Sequence, residues 1–214
     1  MVPEQSLPDP LPAEPLTLAA AWLAEATQRA DQPNPNAMVL ATSDAAGRPS
    51  ARVVLCKEID PVDGTIRWVT NYDSRKGREL AANPRAALVF HWDHLHRQVR
   101  MEGLVAKASV SESDSYFASR ARESQLGAHA SQQSQPIASP DALQAQLDAV
   151  RARFTGPVPR PPHWGGYVMW IEAVELWVAG VARLHDRARW TRELAESCSA
   201  RPVAGPWSAT RLQP

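Results

Sequence analysis

The sequence has 214 residues, which is the size of one ordinary globular domain with a buried core. Its 23 basic residues balance 23 acidic ones, so the charge predicts neither a nucleic-acid partner nor a polybasic membrane anchor. The hydrophobic fraction of 44% and the charged fraction of 21% exclude a wholly disordered, collagen-like or coiled-coil chain.

The N-terminal residues and the cysteines predict a cytoplasmic protein without a membrane segment. Residues 1–14 are rich in proline and contain no basic residue, so they predict a flexible arm and not a secretory signal. The apolar run over 16–24 is far shorter than the roughly 20 residues of a membrane-spanning helix. Cys56 and Cys198 are the only cysteines, which excludes a disulfide framework and is typical of a reducing compartment.

Residue periodicity predicts one helix at the start of the chain and then a meander of strands. Apolar residues recur at helical spacing over 15–29, and β-rich runs separated by turns follow over 37–42, 51–59, 65–71, 86–92 and 98–110. Capping residues predict further helices over 74–83, 111–123 and 139–154. Strand character returns over 165–173, 175–181 and 183–192. We therefore expect residues 15–214 to form a single domain, a mainly β or α+β antiparallel barrel with peripheral helices.

Motifs of the common nucleotide and nucleophile sites do not occur in the sequence. There is no phosphate-binding P-loop, no dinucleotide glycine fingerprint, no Gly-x-Ser-x-Gly elbow and no Cys-x-x-Cys pair. The one metal-like group is His91, His94 and His96, but strand alternation predicts His91 on the face opposite the other two. A solvated hairpin end is the simpler interpretation, and we expect no metal site.

Cationic side chains on predicted strands suggest an anionic ligand. An extended segment over 183–187 places Arg183, His185 and Arg187 side by side on one strand face. Such crowding favours a phosphate opposite, and a solvated edge strand paired with acidic residues explains it equally. Arg52 and Lys57 bracket an apolar run at an odd spacing, so either the strand bends between them or they serve different groups.

Two further sets of phosphate-capable donors are predicted on helices. Arg75 and Lys76 stand at a predicted helix start, where free backbone N–H groups already favour a phosphate. Tyr116, Arg120 and Ser124 recur every four residues and would share one helix face. Each set also has an ordinary interpretation, as a capped surface helix or as a stacked Tyr–Arg pair.

Short motifs in a fixed order, spread from Glu14 to Pro214, are specific as a set. They lie at residues 14–18, 36–42, 52–57, 70–71, 74–76, 97–99, 116–117, 120, 124–128, 133–134, 164–166, 175–177, 183–187 and 211–214. This set resembles the pyridoxine (pyridoxamine) 5′-phosphate oxidases, FMN enzymes of vitamin B6 metabolism. The resemblance implies an FMN-binding split β-barrel with peripheral helices, which forms a homodimer with FMN in clefts at the subunit interface.

The same resemblance implies roles for individual residues. FMN would be held by Arg52, Val53, Val54, Leu55, Cys56, Lys57, Val69, Thr70, Arg75, Lys76, Gln98, Gln133, Ser134, Trp177 and Arg187. The substrate phosphate would be held by Lys57, Tyr116, Arg120 and Ser124. Arg183 and His185 would cover the substrate's pyridine ring as the catalytic pair.

The implied activity is oxidation of pyridoxine 5′-phosphate and pyridoxamine 5′-phosphate to pyridoxal 5′-phosphate. O2 is the electron acceptor, H2O2 is formed, and the amine substrate also releases NH3. Two alternatives share the barrel: a phenazine-type FMN oxidase with an unphosphorylated substrate, and a non-catalytic FMN-binding protein. The phosphate-binding set that includes Arg120 argues against the first alternative, and Arg183 with His185 argues against the second.

Three positions and the N-terminal arm depart from the family's pattern. Val69 stands where an aromatic residue is common, and Arg100 and Glu102 stand where apolar residues are usual. The arm before Pro15 carries no Arg or Tyr, which leaves open whether it closes over the site as a lid.

Overall fold

Antiparallel strands form a barrel in the structure, a computed structural model that describes residues 5–195 and 201–214. The described residues form ten strands: β1 Ala37–Ser43, β2 Pro49–Asp60, β3 Thr65–Asn71, β4 Arg85–Trp92, β5 Arg97–Lys107, β6 Trp164–Val178, β7 Asp186–Thr191, β8 Leu194–Ala195, β9 Val203–Ala204 and β10 Ser208–Leu212. The same part of the chain contains five α-helices: α1 Leu16–Arg29, α2 Arg75–Ala82, α3 Val110–Ser119, α4 Arg122–Ala130 and α5 Pro140–Arg153. None of these helices is long and apolar enough to cross a membrane.

Six antiparallel strands close on themselves in the order β6-β3-β2-β1-β4-β5, because β5 also pairs with β6. Strands β7 and β10 extend the sheet beyond the second half of β6. Met38 and Leu40 point into the barrel and are fully buried, whereas Val39 between them points outward and is 42% exposed. The predicted split-barrel fold with peripheral helices is confirmed.

Strand β6 is one continuous element, so the prediction of two strands over 165–173 and 175–181 is wrong. Near its start Gly165 pairs with Thr70 of β3, and near its end Trp177 pairs with Arg187 of β7. Continuous pairing with β5 along its length holds the strand together, with a bulge opposite Glu102 and Gly103. Gly165 and Trp177 are therefore separated by about 40 Å of strand, at roughly 3.3 Å per residue.

The predicted helix over 111–123 is also wrong, because two helices occupy this region. Ser109 and Glu112 form a capping box that starts α3, and Arg120 is extended, with φ −74° and ψ 149°. The side-chain amide of Gln125 donates to the carbonyl of Phe117, which supplies a partner at the end of α3. Tyr116 and Ser124 therefore lie on different helices, with Arg120 in the connection between them. The sequence did not predict α4 or the C-terminal strand β10.

The predicted strand over 183–192 begins only at Asp186. A 3₁₀ turn spans Val181–Arg183, and both Ala182 and Arg183 have left-handed backbone angles, with φ 55° and 65°. The N–H of Leu184 donates to the carbonyl of Val181 and closes this turn. The prediction that Arg183 shares a regular strand face with Arg187 is therefore wrong.

Residues 5–14 lie against the barrel, while residues 1–4 of the predicted arm lie outside the described residues. Leu7 is 2% exposed, and its backbone N–H donates to the Asp186 carboxylate at 2.8 Å. The indole of Trp190 donates to the carbonyl of Pro12 at 2.8 Å. Arg211 pairs with Asp186 as well, so one carboxylate ties both ends of the chain to β7. Flexibility of the arm over 1–14 stays a prediction.

Candidate functional site

A buried lysine at the start of α2 has only neutral hydrogen-bond partners. The side chain of Lys76 is 8% exposed, and its Nζ lies 2.7 Å from Oε1 of Gln133 and 3.2 Å from Oγ1 of Thr70. No carboxylate of the described residues lies within ion-pair distance of this ammonium. Burial lowers the pKa of Lys76 to about 8. An uncompensated buried cation next to free helix N–H groups is a site that favours an anion.

The N-terminus of α2 is capped by a hydroxyl, and the loop between α4 and α5 reaches it. Ser74 accepts a hydrogen bond from the backbone N–H of Gly77 as the N-cap. Ser134 follows Gln133 in the loop that reaches Lys76 and has a left-handed φ of 71°. The structure therefore brings together four predicted FMN ligands, namely Thr70, Lys76 and the Gln133–Ser134 segment.

A buried carboxylate accompanies these cations. Glu79 is 5% exposed and accepts hydrogen bonds from Thr42 and Ser50, from Arg52 at 3.1 Å and from Arg75 at 2.9 Å. Burial alone would raise the pKa of this carboxyl, but the four donors lower it to about 2. Arg52 and Arg75, both predicted FMN ligands, are thus held by one ionised side chain.

Arg120 is a second cation without a carboxylate partner among the described residues. Its guanidinium lies over the ring of Trp164, 4.5 Å from the centroid, and its buried Nη1 has no hydrogen-bond partner. Burial lowers the pKa of Arg120. Arg120 and Ser124 line a cavity of about 400 Å³ together with Thr70 and Gln133. This cavity therefore connects the Arg120 group to the Lys76 group.

Lys57 and Tyr116 line a neighbouring cavity of about 620 Å³. The Nζ of Lys57 lies 5.4 Å from the centre of the Tyr116 ring, and Tyr116 stacks on Trp164 with the ring centres 6.2 Å apart. Val69 lines both cavities and lies between them. The four predicted substrate-phosphate residues are thus linked through Trp164, but within this chain they divide between two adjoining cavities.

The strand bends between Arg52 and Lys57, which is one of the two alternatives that their odd spacing left open. The pairing of β2 with β3 shifts register between Cys56 and Glu58, so a bulge lies at Lys57. Val53 and Leu55 point outward and are 64% and 39% exposed, whereas Cys56 is buried inside the barrel. Val54 packs against the edge of the core. A bulge that turns Lys57 toward Tyr116 explains the odd spacing from Arg52.

A third group lies at the far end of β6. Gln98, Trp177 and Arg187 are direct cross-strand neighbours on β5, β6 and β7, so their side chains share one sheet face. The rings of His185 and Trp177 are 4.7 Å apart. The backbone N–H of Gly180 donates to Nδ1 of His185 at 3.2 Å. The resemblance assigns Gln98, Trp177 and Arg187 to FMN and His185 to the substrate ring, and the structure places all four at this end of β6.

Arg183 lies apart from that face, exposed at the end of the 3₁₀ turn. The histidines 91, 94 and 96 do not form a metal-ligating cluster, and no group of three or more potential metal ligands occurs within residues 5–195 and 201–214. His94 instead lies 3.8 Å from the carboxylate of Asp31.

Two charged residues that depart from the family's pattern belong to an ion-pair network around a buried carboxylate. Glu175 is 6% exposed and binds Arg187 through both Nε, at 3.1 Å, and Nη2, at 2.8 Å. Its other oxygen lies 3.2 Å from Arg100, and Arg100 lies 3.7 Å from Glu102. Glu102 in turn pairs with Arg189 at 3.1 Å. Arg100 and Glu102 therefore belong to one network with Arg187. Sequence patterns did not predict that Glu79 and Glu175 are buried carboxylates of the site, because Arg52, Arg100 and Arg187 reach them from other segments.

Two family models cover most of the chain. Residues 24–154 match the model described as pyridoxamine 5′-phosphate oxidase, and residues 164–214 match the pyridoxine 5′-phosphate oxidase C-terminal dimerisation region. The chain belongs to the pyridoxine/pyridoxamine 5′-phosphate oxidase family. A pyridoxine/pyridoxamine 5′-phosphate oxidase from Herminiimonas arsenicoxydans is 49% identical, over 94% of this chain and 90% of the relative. A relative in Gluconobacter oxydans is 45% identical, over 95% of this chain and 96% of the relative.

Two solved structures have the same fold as this chain. PhzG from Burkholderia lata 383, in complex with tetrahydrophenazine-1-carboxylic acid, matches with a TM-score of 0.86 and 31% identity. The match covers 99% of this chain and 98% of that chain. An FMN binding protein from Nostoc punctiforme, at 15% identity and a TM-score of 0.70, shows the same fold.

Proposed function

We propose that this protein is an FMN-dependent oxidase that converts pyridoxine 5′-phosphate and pyridoxamine 5′-phosphate to pyridoxal 5′-phosphate. O2 is the acceptor and gives H2O2, and the amine substrate also yields NH3. The observation that carries the proposal is a pair of cations without a carboxylate partner among the described residues, namely the buried Lys76 and the half-buried Arg120 with its buried Nη1. This reaction needs two sites for phosphate monoesters, one for the cofactor and one for the substrate.

The Lys76 group fits the phosphate of FMN. Its ammonium, the N-terminal N–H groups of α2 and the side chains of Thr70 and Gln133 supply a buried positive site of the right chemistry. FMN held by these residues would supply the redox chemistry of the reaction, which is the acceptance of a hydride and the transfer of its electrons to O2. The protein's contribution is to hold both molecules in register and to exclude water between them.

The Arg120 group fits the phosphate of the substrate. Arg120 offers a buried, unsatisfied Nη1, and Ser124 lines the same cavity. Lys57 and Tyr116 lie on the other side of Val69 and would complete the phosphate contacts. A guanidinium that stacks on Trp164 is oriented before the ligand binds, which reduces the entropy lost on binding.

The position of the third group supports a site built from two chains. About 40 Å of strand β6 separates the residue opposite Thr70 from the residue opposite Arg187, which is longer than one FMN molecule. Both groups are assigned to FMN by resemblance, so one chain would supply the Lys76 group and its partner the Arg187 group. His185, next to Trp177, would then lie over the pyridine ring in the partner's site.

An apolar outer face of the barrel supports a homodimer. Val39 pairs with Val53 on one side and with Val89 on the other, and all three point outward. Val53 is 64% exposed and Val39 is 42% exposed, and Leu55 extends the same patch. The match of residues 164–214 to a dimerisation region is consistent with an interface that continues onto β6 and β7. A second copy of the chain is the partner that would cover this face.

The two-chain site predicts complementation between two inactive variants. Lys76→Met and Arg187→Ala chains, co-expressed with different tags and purified as a hybrid, should regain roughly half of the wild-type activity. One of the two sites in the hybrid then contains both residues intact. Each variant alone, as a homodimer, should have little activity. If both groups served a site within one chain, the hybrid would contain no intact site and its activity would stay at the level of the homodimers.

The phenazine-type oxidase is a second candidate, because the PhzG structure matches this chain closely over its full length. Arg120 alone can pair with a carboxylate or a phosphate, so we favour the phosphorylated substrate on the full set of phosphate-capable donors, Lys57, Tyr116, Arg120 and Ser124. The deciding experiment reconstitutes the protein with FMN and offers pyridoxine 5′-phosphate, pyridoxamine 5′-phosphate or a tetrahydrophenazine carboxylic acid in air. We expect H2O2 and pyridoxal 5′-phosphate from the first two only. Failure to take up FMN, or turnover of the phenazine substrate alone, would overturn the proposal.

Variants of the 183–187 segment should separate ring contacts from cofactor contacts. Arg183→Ala and His185→Ala should retain FMN but slow anaerobic bleaching of the flavin by pyridoxine 5′-phosphate about tenfold, because these side chains orient the substrate's C4′. Arg187→Ala should instead raise the Kd for FMN. Stopped-flow absorbance and equilibrium dialysis measure the two quantities. Normal bleaching rates in both of the first two variants would remove Arg183 and His185 from the active site.

A further inference from the structure

Glu79 lies within the proposed cofactor-phosphate site although its charge is opposite to that of the site. One carboxylate oxygen accepts from Thr42 at 2.5 Å, from Ser50 at 2.6 Å and from Arg52 at 3.1 Å. The other accepts from Nε of Arg75 at 2.9 Å. A buried carboxylate at this position repels a bound phosphate through space. Four hydrogen bonds nevertheless hold this carboxylate in the site, so it must favour phosphate binding in another way.

The geometry shows what Glu79 holds. Arg52 comes from β2 and Arg75 is the first residue of α2, so the two guanidinium groups belong to different elements and meet only at this carboxylate. Glu79 lies one helical turn after Arg75, on the face of α2 that packs on the barrel. Arg52 is further fixed by contacts to the hydroxyls of Thr42 and Ser50, which also donate to Glu79.

The charges of this cluster match a phosphate monoester. Arg52, Arg75 and Lys76 carry three positive charges and Glu79 carries one negative charge, so the net charge of the cluster is about +2. A phosphate monoester near neutral pH carries about −1.5 to −2. A site of this charge is complementary to a terminal monophosphate.

We propose that Glu79 is a positioning residue of the cofactor-phosphate site, which aligns the guanidinium groups of Arg52 and Arg75 and sets the net charge of the site to match a monoester dianion. This inference rests on the proposed function, because the phosphate is that of FMN. Glu79 acts through the two arginines and does not touch the cofactor itself.

The test compares FMN with riboflavin, which lacks the phosphate. Both are titrated into the apoprotein by quenching of flavin fluorescence, in the wild type, in Glu79→Gln and in the control Glu172→Gln, whose carboxylate pairs with Arg85 away from the site. In Glu79→Gln the preference for FMN over riboflavin, given by the ratio of the two Kd values, should be about tenfold lower than in the wild type. The riboflavin Kd should be unchanged. The control should keep the full preference.

Other outcomes overturn the proposal in distinguishable ways. A Glu79→Gln protein with unchanged or increased preference for FMN rejects a positioning role, since removal of a repulsive charge alone strengthens phosphate binding. Equal losses for FMN and riboflavin indicate a general structural role and also reject it. A wild type that does not prefer FMN contradicts the proposed function itself. If Glu79→Gln does not fold, Ser50→Ala removes one hydrogen bond to Glu79 and should lower the preference about threefold.

Discussion

Replacing Arg120 with alanine should raise the KM for pyridoxine 5′-phosphate by about a hundredfold, with a much smaller change in kcat. Under the proposed function, the guanidinium would contact the phosphate end of the substrate, far from the C4′ atom that reacts. It would then stabilise the bound substrate and the transition state almost equally, so its loss should change KM and leave kcat nearly unchanged. Steady-state kinetics with H2O2 detection measures both constants.

The chain provides a matched control for this variant. Arg153 also lies over an aromatic ring, 5.0 Å from the centre of Phe154, but on the exposed helix α5. Arg153→Ala should leave both constants unchanged. Unphosphorylated pyridoxine provides a second comparison, because its slow turnover should be equal in the wild type and in Arg120→Ala. A loss of kcat with an unchanged KM would place Arg120 at the reacting carbon and contradict its assignment to the phosphate.

Local sequence patterns predicted the barrel strands because runs of β-favouring residues lie between recognisable turns. They failed where pairing partners decide the structure. Strand β6 continues through Ala173 and Val174 because β5 and β7 pair with it on both sides, and neither neighbour is visible in a local window. Likewise α3 ends at Ser119 where Arg120 turns onto the ring of Trp164, which is distant in sequence.

The candidate site shows the same division between local and distant information. The helix start at Arg75 and Lys76 was predictable because capping and anion binding are properties of a few consecutive residues. The buried carboxylates Glu79 and Glu175 were not, because only folding brings Arg52 and Arg100 to them. The bend at Lys57 was one of two predicted alternatives, and only the register shift against β3 distinguishes them.

Replacing Lys76 with methionine should weaken FMN binding and at the same time stabilise the apoprotein. The Kd for FMN should rise about a hundredfold, because a charge-assisted contact to the phosphate is lost. The free energy of unfolding of the apoprotein should rise by about 1 to 2 kcal/mol, because a buried ammonium without a counter-ion gives way to an apolar side chain of similar length. Dialysis against FMN and urea denaturation of the apoprotein measure the two changes.

The pKa of Lys76 predicts opposite pH dependences for these two quantities. Its native value of about 8 lies below the ordinary value of 10.5, so the native state binds fewer protons than the unfolded state between these values. The destabilisation of the apoprotein by Lys76 therefore decreases as the pH rises from about 8 to 10.5, so the free energy of unfolding increases over this range. FMN affinity should fall as the pH rises above about 8, because the ammonium that binds the phosphate is lost. Both dependences should disappear in Lys76→Met, measured as differences from the wild type.

Lys107 provides the control, since it is an exposed lysine whose Nζ lies 4.2 Å from the centre of the Tyr72 ring. Lys107→Met should leave the FMN Kd and its pH dependence unchanged. An apoprotein that loses stability in Lys76→Met would show that the ammonium holds the fold through Thr70 and Gln133 and is not kept for an anion. Lys76→Met should therefore weaken FMN binding and stabilise the apoprotein. This combination is typical of a functional site, because the buried charge destabilises the fold and is balanced only by the bound ligand.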